Sequence, residues 1–471
     1  MAMVSTERAV PAPFLAREDV RRILVLAIPA MLAFLTQTGV NIVDTVFFGY
    51  LPEPDRSDGQ SVLSNSLILL WAVGGFFSAI SVGTQAMVAR RTGAGDPLAA
   101  GAVLKNAVVL ASSASLVASI AGYFFIPSAF ALLMPDNPNS AALGTEYTQW
   151  RFLGVVSMVA TAAYKAYFDG TGRTYIHFVA AIVMNIVNLV LCWLLIFGNY
   201  GAPKMGVEGA GVAGMASSWV GFLVVALFSM SKGDRVTRAP YSGRLSGTIM
   251  RELARISVPS GVATAVIMSG FLLFRRIVEG LDSAHLAAGG TESIYGAATT
   301  IIIQVLSITF FSCMAFGVAT ATLVSQELGA LRPERAERVA WASVKLGAMA
   351  FGVLGLLQIA FPAQLVSVFN DSPGVIAAAT PSLQLMGACG PIIATGMILT
   401  QALFGAGNTR FVMVVELLLH LGWLVPGAYL FGVVLELGLI GVWSSAAVYV
   451  LLLTLAMIYK FRQGTWKSIQ I

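Results

Sequence analysis

Gly83–Ala100, GTQAMVARRTGAGDPLAA, can be laid over Ala319–Ala336, ATATLVSQELGALRPERA, at a constant offset of 236 positions. Thr84 then meets Thr320, Val88 meets Val324, Gly93 meets Gly329, Ala94 meets Ala330, Pro97 meets Pro333 and Ala100 meets Ala336. The offset is half of the 471-residue chain. A second echo, one residue out of register, pairs Phe168–Thr174 (FDGTGRT) with Phe404–Thr409 (FGAGNT), and each copy stands at the start of another apolar run. Two similar halves imply two similar lobes with a cleft between them.

The chain around these echoes is 57% hydrophobic and 11% charged, with a mean hydropathy of +0.82. A soluble domain carries about 25% charged residues, so this chain belongs in a bilayer. Apolar runs lie at 22–50, 62–89, 104–126, 146–168, 175–197 and 207–230 in the first half. The second half repeats the plan at 254–280, 295–322, 341–362, 380–404, 411–432 and 438–460. With about 20 residues needed per crossing, the expected fold is an all-α integral membrane protein of twelve transmembrane helices. The helices fall into two six-helix lobes related by a parallel repeat. The domain plan is an N-terminal segment 1–21, an N-lobe 22–230, a basic linker 231–253, a C-lobe 254–460 and a tail 461–471.

Charge placement orients this plan. Of the 28 Lys and Arg, only Arg56, Arg151, Lys204, Arg275 and Arg276 fall on one side of the twelve runs, and the remaining 23 fall on the other. The positive-inside rule puts both chain ends on the cytoplasmic side. The expected location is the inner (cytoplasmic) membrane of a bacterium, with both termini cytoplasmic. The linker carries Lys232, Arg235, Arg238, Arg244 and Arg251 but only Tyr241 as an aromatic, a solvated surface stretch with none of the interleaved rings that nucleic-acid binding uses. Cys192, Cys313 and Cys389 all sit in apolar runs, so neither a disulfide framework nor a CxxC metal site is available.

No Gly-Lys dipeptide occurs, which excludes a Walker A loop, and His177, His285 and His420 form no HExxH zinc motif. The expectation is no enzyme, no catalytic residue, no metal site and no cofactor, with an ion gradient as the energy source. Ionisable groups inside the apolar runs are then the residues to weigh, because each costs about 2.5 to 3.5 kcal/mol at a helix centre. Asp44 lies in the outer part of the first run, and Asn188 at a comparable depth in the fifth, with Asn185 nearby on the same helix face. A carboxylate there resists ionisation and can exchange a proton near neutral pH. The alternative is a solvated or merely hydrogen-bonded Asp44, and for Asn185 a role as helix glue.

Glu416 and His420, one turn apart in the eleventh run, are candidates for a second proton site, with interfacial and packing roles as the alternative. Lys165 reads as a snorkelling residue and Arg275 with Arg276 as interfacial anchors. Pro29 and Pro259 fall early in the first run of each half, where a proline frees a carbonyl and permits a bend.

These residues together resemble the multidrug and toxic compound extrusion (MATE) family across nearly the whole chain. The resemblance rests on Pro29 with Val43-Asp44-Thr45 and Gly49-Tyr50-Leu51, Gly93-Ala94-Gly95-Asp96 with Gly329-Ala330, Gly170–Thr174, and Gly206–Ala210 opening the sixth run. It implies a two-lobed exporter that expels organic, often cationic, compounds in exchange for H⁺ or Na⁺. Pro29 matches the family's first-helix proline, Asp44 its N-lobe carboxylate and Asn188 its fifth-helix asparagine. Where many relatives have Asp or Asn four residues on, this chain has Cys192, and a thiol is a poor ligand for a hard cation. That departure favours H⁺ over Na⁺. Where some relatives place a Glu in the seventh helix, this chain has Ile267.

The mechanism this suggests is a monomeric antiporter in membrane lipid, in which protonation of Asp44 rearranges its contacts with Asn188, bends the first helix at Pro29 and releases a small organic, cationic cargo. A lipid flippase of the same wider superfamily is the alternative, and a membrane-embedded transferase a third reading.

Overall fold

The computed structural model describes residues 16–51, 55–134, 137–230, 244–290 and 292–471; the side chains of 37–45, 49, 55–58, 60–61 and 64 lie outside the described set. Among the described residues the secondary structure is all helical. The N-lobe comprises α1 (Arg17–Gly49), α2, α3 (Pro97–Leu133), α4, α5 (Thr174–Phe197) and α6 (Gly206–Met230). Helix α2 runs from Asp55–Leu70 through a π-helical turn, Trp71–Gly75, to Ile80–Gly93, and α4 is Pro138–Leu153 continued by Val155–Gly170. The C-lobe comprises α7 (Gly247–Ala287), α8 (Ile294–Gly329), α9 (Pro333–Ala360), α10, α11 and α12 (Gly438–Arg462). Helix α10 is Pro373–Ala388 with Gly390–Gly405, bent by 56° between them. Helix α11 is Thr409–Leu419 extended through two π-helical turns, His420–Leu424 and Leu430–Val434. All twelve sequence runs are helices, most of them longer than the runs that announced them.

The starts and stops follow local chemistry. Asp96 accepts the amide of Ala99 at 2.9 Å with Pro97 as first helical residue of α3. Asn137 does the same for Ser140 at 3.1 Å ahead of Pro138. Helix α5 ends on Gly198 at φ +72°, a left-handed residue that closes the last turn. Ser246 caps α7, whose first turns therefore occupy the end of the stretch read as linker.

In lipid, burial of apolar surface drives little helix association, and close packing of small residues does the work instead. A Cβ at Gly211 would stand 2.7 Å from the Tyr147 carbonyl, and one at Gly387 2.8 Å from the Gly355 carbonyl. Large apolar side chains cover the outside, Phe124 at 75% exposure and Val117 at 70% among them. That is the pattern of a lipid-facing surface rather than a watery one.

Both repeat echoes recur as contacts. Gly93 of α2 lies against the backbone of Gln326 in α8, and Gly329 of α8 lies against the backbone of Arg90 in α2. Adding 236 to one contact gives the other, so the two helices cross through a pseudo-twofold pair of glycines. Within the lobes Gly170 sits on the Gln85 carbonyl of α2, and Gly405 sits on the Ala321 carbonyl of α8. The loop turns match as well, with Gly172 at φ +80° and Gly407 at φ +85°.

Candidate functional site

The two lobes are fastened at the end where α1 begins and the C-terminal residues lie. Gln85 Nε2 of α2 donates to the Val318 carbonyl and to Thr322 Oγ1 of α8, both at 2.9 Å. Ser325 Oγ donates to the Ala86 carbonyl at 2.7 Å, Thr322 Oγ1 to the Asp169 carbonyl at 3.0 Å and Gln326 Nε2 to the Gly170 carbonyl at 2.9 Å. Outside this polar seam lies an ionic one. Glu327, 1% exposed, meets Arg22 at 2.8 Å, Arg332 at 3.0 Å and Arg335 at 3.6 Å, while Arg335 also holds Glu18 at 2.7 Å. The tail closes the same face. Trp466 is fully buried and stacks on Phe461 with ring centroids 4.5 Å apart, and Arg90 donates to the Ile469 carbonyl at 3.2 Å.

Among the described residues the hydrogen bonds joining the helices of the two lobes lie in this terminal half, the deepest at Val318, about 16 Å along α8 from Gly329. Directly beyond the seal stand Phe34 of α1 and Phe311 of α8, stacked across the lobe boundary at 6.1 Å. Lys165 of α4 places Nζ 4.2 Å from the centre of the Phe34 ring, and the His177 ring meets the edge of Phe34 at 6.4 Å. Lys165 thus lines the boundary between the lobes, where the sequence suggested only a snorkelling residue.

The sequence-chosen N-lobe residues divide. Asp44 lies on α1, and its side chain is outside the described residues, so its contact with Asn188 is untested. Asn188 is buried at 4% exposure. Asn185 donates from Nδ2 to the Thr36 carbonyl at 3.0 Å, tying α5 to α1 above Pro29, and leaves Oδ1 without a partner. Cys192 sits in the apolar cluster of Phe48, Leu51, Tyr147 and Ile196. Pro29 falls inside α1 and Pro259 inside α7, each with the helix continuous on either side.

The C-lobe pair comes together with a third member. His420 Nδ1 lies 3.1 Å from Glu416 Oε2, and Tyr449 Oη of α12 donates to the same oxygen at 2.8 Å. The His420 and Tyr449 rings are 4.6 Å apart. Glu416 and His420 are each only 5% exposed, and a Cβ at Gly270 of α7 would stand 3.1 Å from the His420 ring. The α-helix gives way to a π-turn at His420 itself, an irregularity frequent at functional sites. Another buried acid, Asp282, is a structural cap: it accepts the amides of Tyr295 and Gly296 and the Ser293 hydroxyl at 2.6 to 2.8 Å, at the start of α8.

Sequence reasoning missed Glu327, Tyr449 and the setting of Lys165. For Glu327 a signal existed, since the repeat lays it over Arg91, an opposite charge at an otherwise matched position. Tyr449 carries none; only the packing of α12 on α11 reveals it.

The MatE family model matches residues 29–194 and 259–430, one stretch in each lobe. The chain belongs to the MatE family. A probable multidrug resistance protein NorM of Thermotoga maritima is 26% identical over 462 residues, covering 97% of this chain and 96% of the relative. A protein of Shewanella oneidensis named FAD transporter is 24% identical over 357 residues, 76% of this chain and 75% of its own. Among solved structures, a MATE protein crystallised in the straight conformation superposes with a TM-score of 0.83 at 20% identity, over 95% of each chain. This MatE protein is accordingly a multi-pass membrane transporter of two six-helix lobes, not an enzyme.

Proposed function

We propose that this MatE protein is an H⁺-coupled antiporter that exports small organic compounds by opening the cleft between its lobes alternately to the two membrane faces. The observation that carries the coupling is the buried Glu416–His420–Tyr449 triad at a π-turn, in which Tyr449 donates to the Glu416 carboxylate and His420 Nδ1, hydrogen-bonded to the Glu416 carbonyl, lies 3.1 Å from that carboxylate. The imidazole nitrogen at Glu416 suits a proton better than a hard cation such as Na⁺, which prefers oxygen ligands. Asp44 with Asn188 and Asn185 is the proposed N-lobe counterpart, and Pro29 the point at which α1 bends. Cys192, packed among apolar side chains, supports no Na⁺ ligand there.

The fastened terminal half supports reading this as the state closed toward the side of the chain ends. The charge balance supports reading that side as the cytoplasmic face of a bacterial inner-membrane protein. Relatives carry names for quite different cargo, so membership in the family leaves the charge of the cargo open. A proton moving down 100 mV supplies about 2.3 kcal/mol, enough for roughly fifty-fold accumulation at 1.4 kcal/mol per tenfold.

The test is dye transport by proteoliposomes under an imposed pH gradient, with and without Na⁺, for wild type, Asp44→Asn, Glu416→Gln and the double variant. Transport that follows the pH gradient in Na⁺-free buffer and fails in the double variant is expected. Undiminished gradient-driven flux in the double variant overturns the assignment.

A further inference from the structure

Directly beyond the seal, a lysine stands at the boundary between the lobes. Helix α4 carries Thr161, Lys165 and Asp169 at four-residue spacing on one face. Asp169, at the seal, is 1% exposed and gives its backbone carbonyl to Thr322 of the opposite lobe. One turn further from the seal, Lys165 is only part-buried, with Nζ over the Phe34 ring. Asp169 is its nearest counter-charge by position, yet among the described residues no carboxylate oxygen comes within the 4.0 Å of an ion pair. Asp169 is thus enclosed at the seal, and Lys165 stands one turn further along α4 against the Phe34 ring at the boundary between the lobes.

The groups around Lys165 are unusually short of partners. Thr161 Oγ1, Asp169 Oδ1 and His177 Nδ1 are all buried without a hydrogen bond inside the protein. Buried polar atoms in folded proteins are nearly always paired, so Thr161 Oγ1, one turn from Lys165, and His177 Nδ1, beside Phe34, point to a site completed by something from outside, whereas the Asp169 oxygen lies at the seal. The remaining walls are Phe34 and Phe311, two rings stacked across the boundary between lobes. An ammonium, an imidazole and aromatic faces complement an aromatic body bearing a carboxylate, sulfonate or phosphate. A cationic drug reaching the same site would meet like charge.

We propose that the cleft floor formed by Lys165, His177, Phe34 and Phe311 is a binding subsite for an aromatic organic anion, which makes anions the preferred cargo of this exporter. The inference rests on the export reading above, and it reverses the cationic preference that the sequence suggested. It also changes the electrical character of the cycle. One proton entering as one monovalent anion leaves moves two elementary charges across the membrane, whereas exchange for a monovalent cation moves none.

Protein in lipid nanodiscs is titrated with carboxyfluorescein and with rhodamine 123, dyes of one scaffold and opposite charge. The expected result is at least tenfold tighter binding of carboxyfluorescein by wild type, lost in Lys165→Gln and retained in Lys165→Arg. Equal or tighter binding of rhodamine 123 by wild type overturns the proposal without recourse to any variant. So does unchanged carboxyfluorescein affinity in a Lys165→Gln protein whose melting temperature matches wild type. Proteoliposome flux of the bound dye separates the two readings: anion binding without proton-driven transport sinks the antiport reading and leaves the subsite standing.

Discussion

Arg22 and Glu327 lie 305 positions apart in the chain and meet at 2.8 Å across the boundary between the lobes. Glu327 is almost wholly enclosed and is shared with Arg332 and Arg335, so one carboxylate is the common partner of three guanidinium groups. The contact exists only while α1 and α8 are together at the terminal face, which makes it a latch for one of the two states.

Removing Glu327 leaves three guanidinium groups close together without their common partner, and their mutual repulsion, though screened by solvent at side chains a third to half exposed, opposes closure. Glu327→Ala therefore destabilises the sealed state and shifts the population toward opening at the terminal face. The three native cysteines are buried, so a cysteine introduced at Ala86 in the seam reports this by maleimide labelling. Labelling from the side of the chain ends is expected to rise at least tenfold; unchanged labelling would show that Glu327 is no latch.

The glycine crossing makes a symmetric prediction. A methyl at Gly93 or at Gly329 would press on backbone of the other lobe, which has no rotamer by which to yield. Overpacking of this kind costs about 1 to 3 kcal/mol. Gly93→Ala and Gly329→Ala should each impair sealing and dye transport, by similar factors, because the repeat makes the two contacts equivalent. A large effect from one and none from the other would contradict that equivalence.

At the turn after the crossing the repeats differ. Gly95 has φ +77° in the first copy, and at the matched position Leu331 has φ +57° and is 87% exposed. A side chain in this left-handed conformation costs about 1 to 2 kcal/mol, partly offset by the greater unfolded-state entropy of glycine. Leu331→Gly should raise the melting temperature slightly, whereas Gly95→Leu should lower it. Thermal denaturation in detergent checks both signs.

Tyr449 supplies one of the two contacts to Glu416 Oε2. Tyr449→Phe removes this hydrogen bond and leaves a buried oxygen short of a partner, so it should cut proton-driven flux by tenfold or more while leaving dye binding near wild type. Loss of binding and flux together would mark Tyr449 as a packing residue instead.

The tail prediction depends on pH. Lys467 donates toward Glu337 at 2.7 Å and toward Glu334 at 3.5 Å, and its pKa is raised, first by the hydrogen bond to Glu337. A raised lysine contributes to docking at every pH below its ordinary value of about 10.4 and loses that contribution only as pH climbs through the higher folded value. Amide exchange of the tail should therefore stay protected from pH 7 to pH 10 in wild type. In Lys467→Met protection should already be reduced at pH 7.

Most of the scaffold could be read from the chain because its causes are local. Proline and capping side chains such as Asp96 and Asn137 mark helix starts within a few residues of where they occur. Glu416 and His420 were visible as a pair because one helical turn separates them. Tyr449 and Glu327 were not, since a partner on another helix leaves no trace in the spacing along either one. Lys165 was misread for the same reason: near the end of an apolar run it looks free to reach water, and the rings and seal that enclose it come from α1 and α8.

The amino-acid sequence by itself settled that this is a membrane protein of two repeated six-helix halves, since an apolar run must satisfy its own backbone as a helix wherever it lies in lipid. Which charges confront one another, which end is sealed and which rings meet across the lobe boundary were decided only by tertiary packing. Electrostatic and packing energies fall steeply with distance in space and are indifferent to distance along the chain. A 236-residue offset can therefore announce two lobes but not how their surfaces meet.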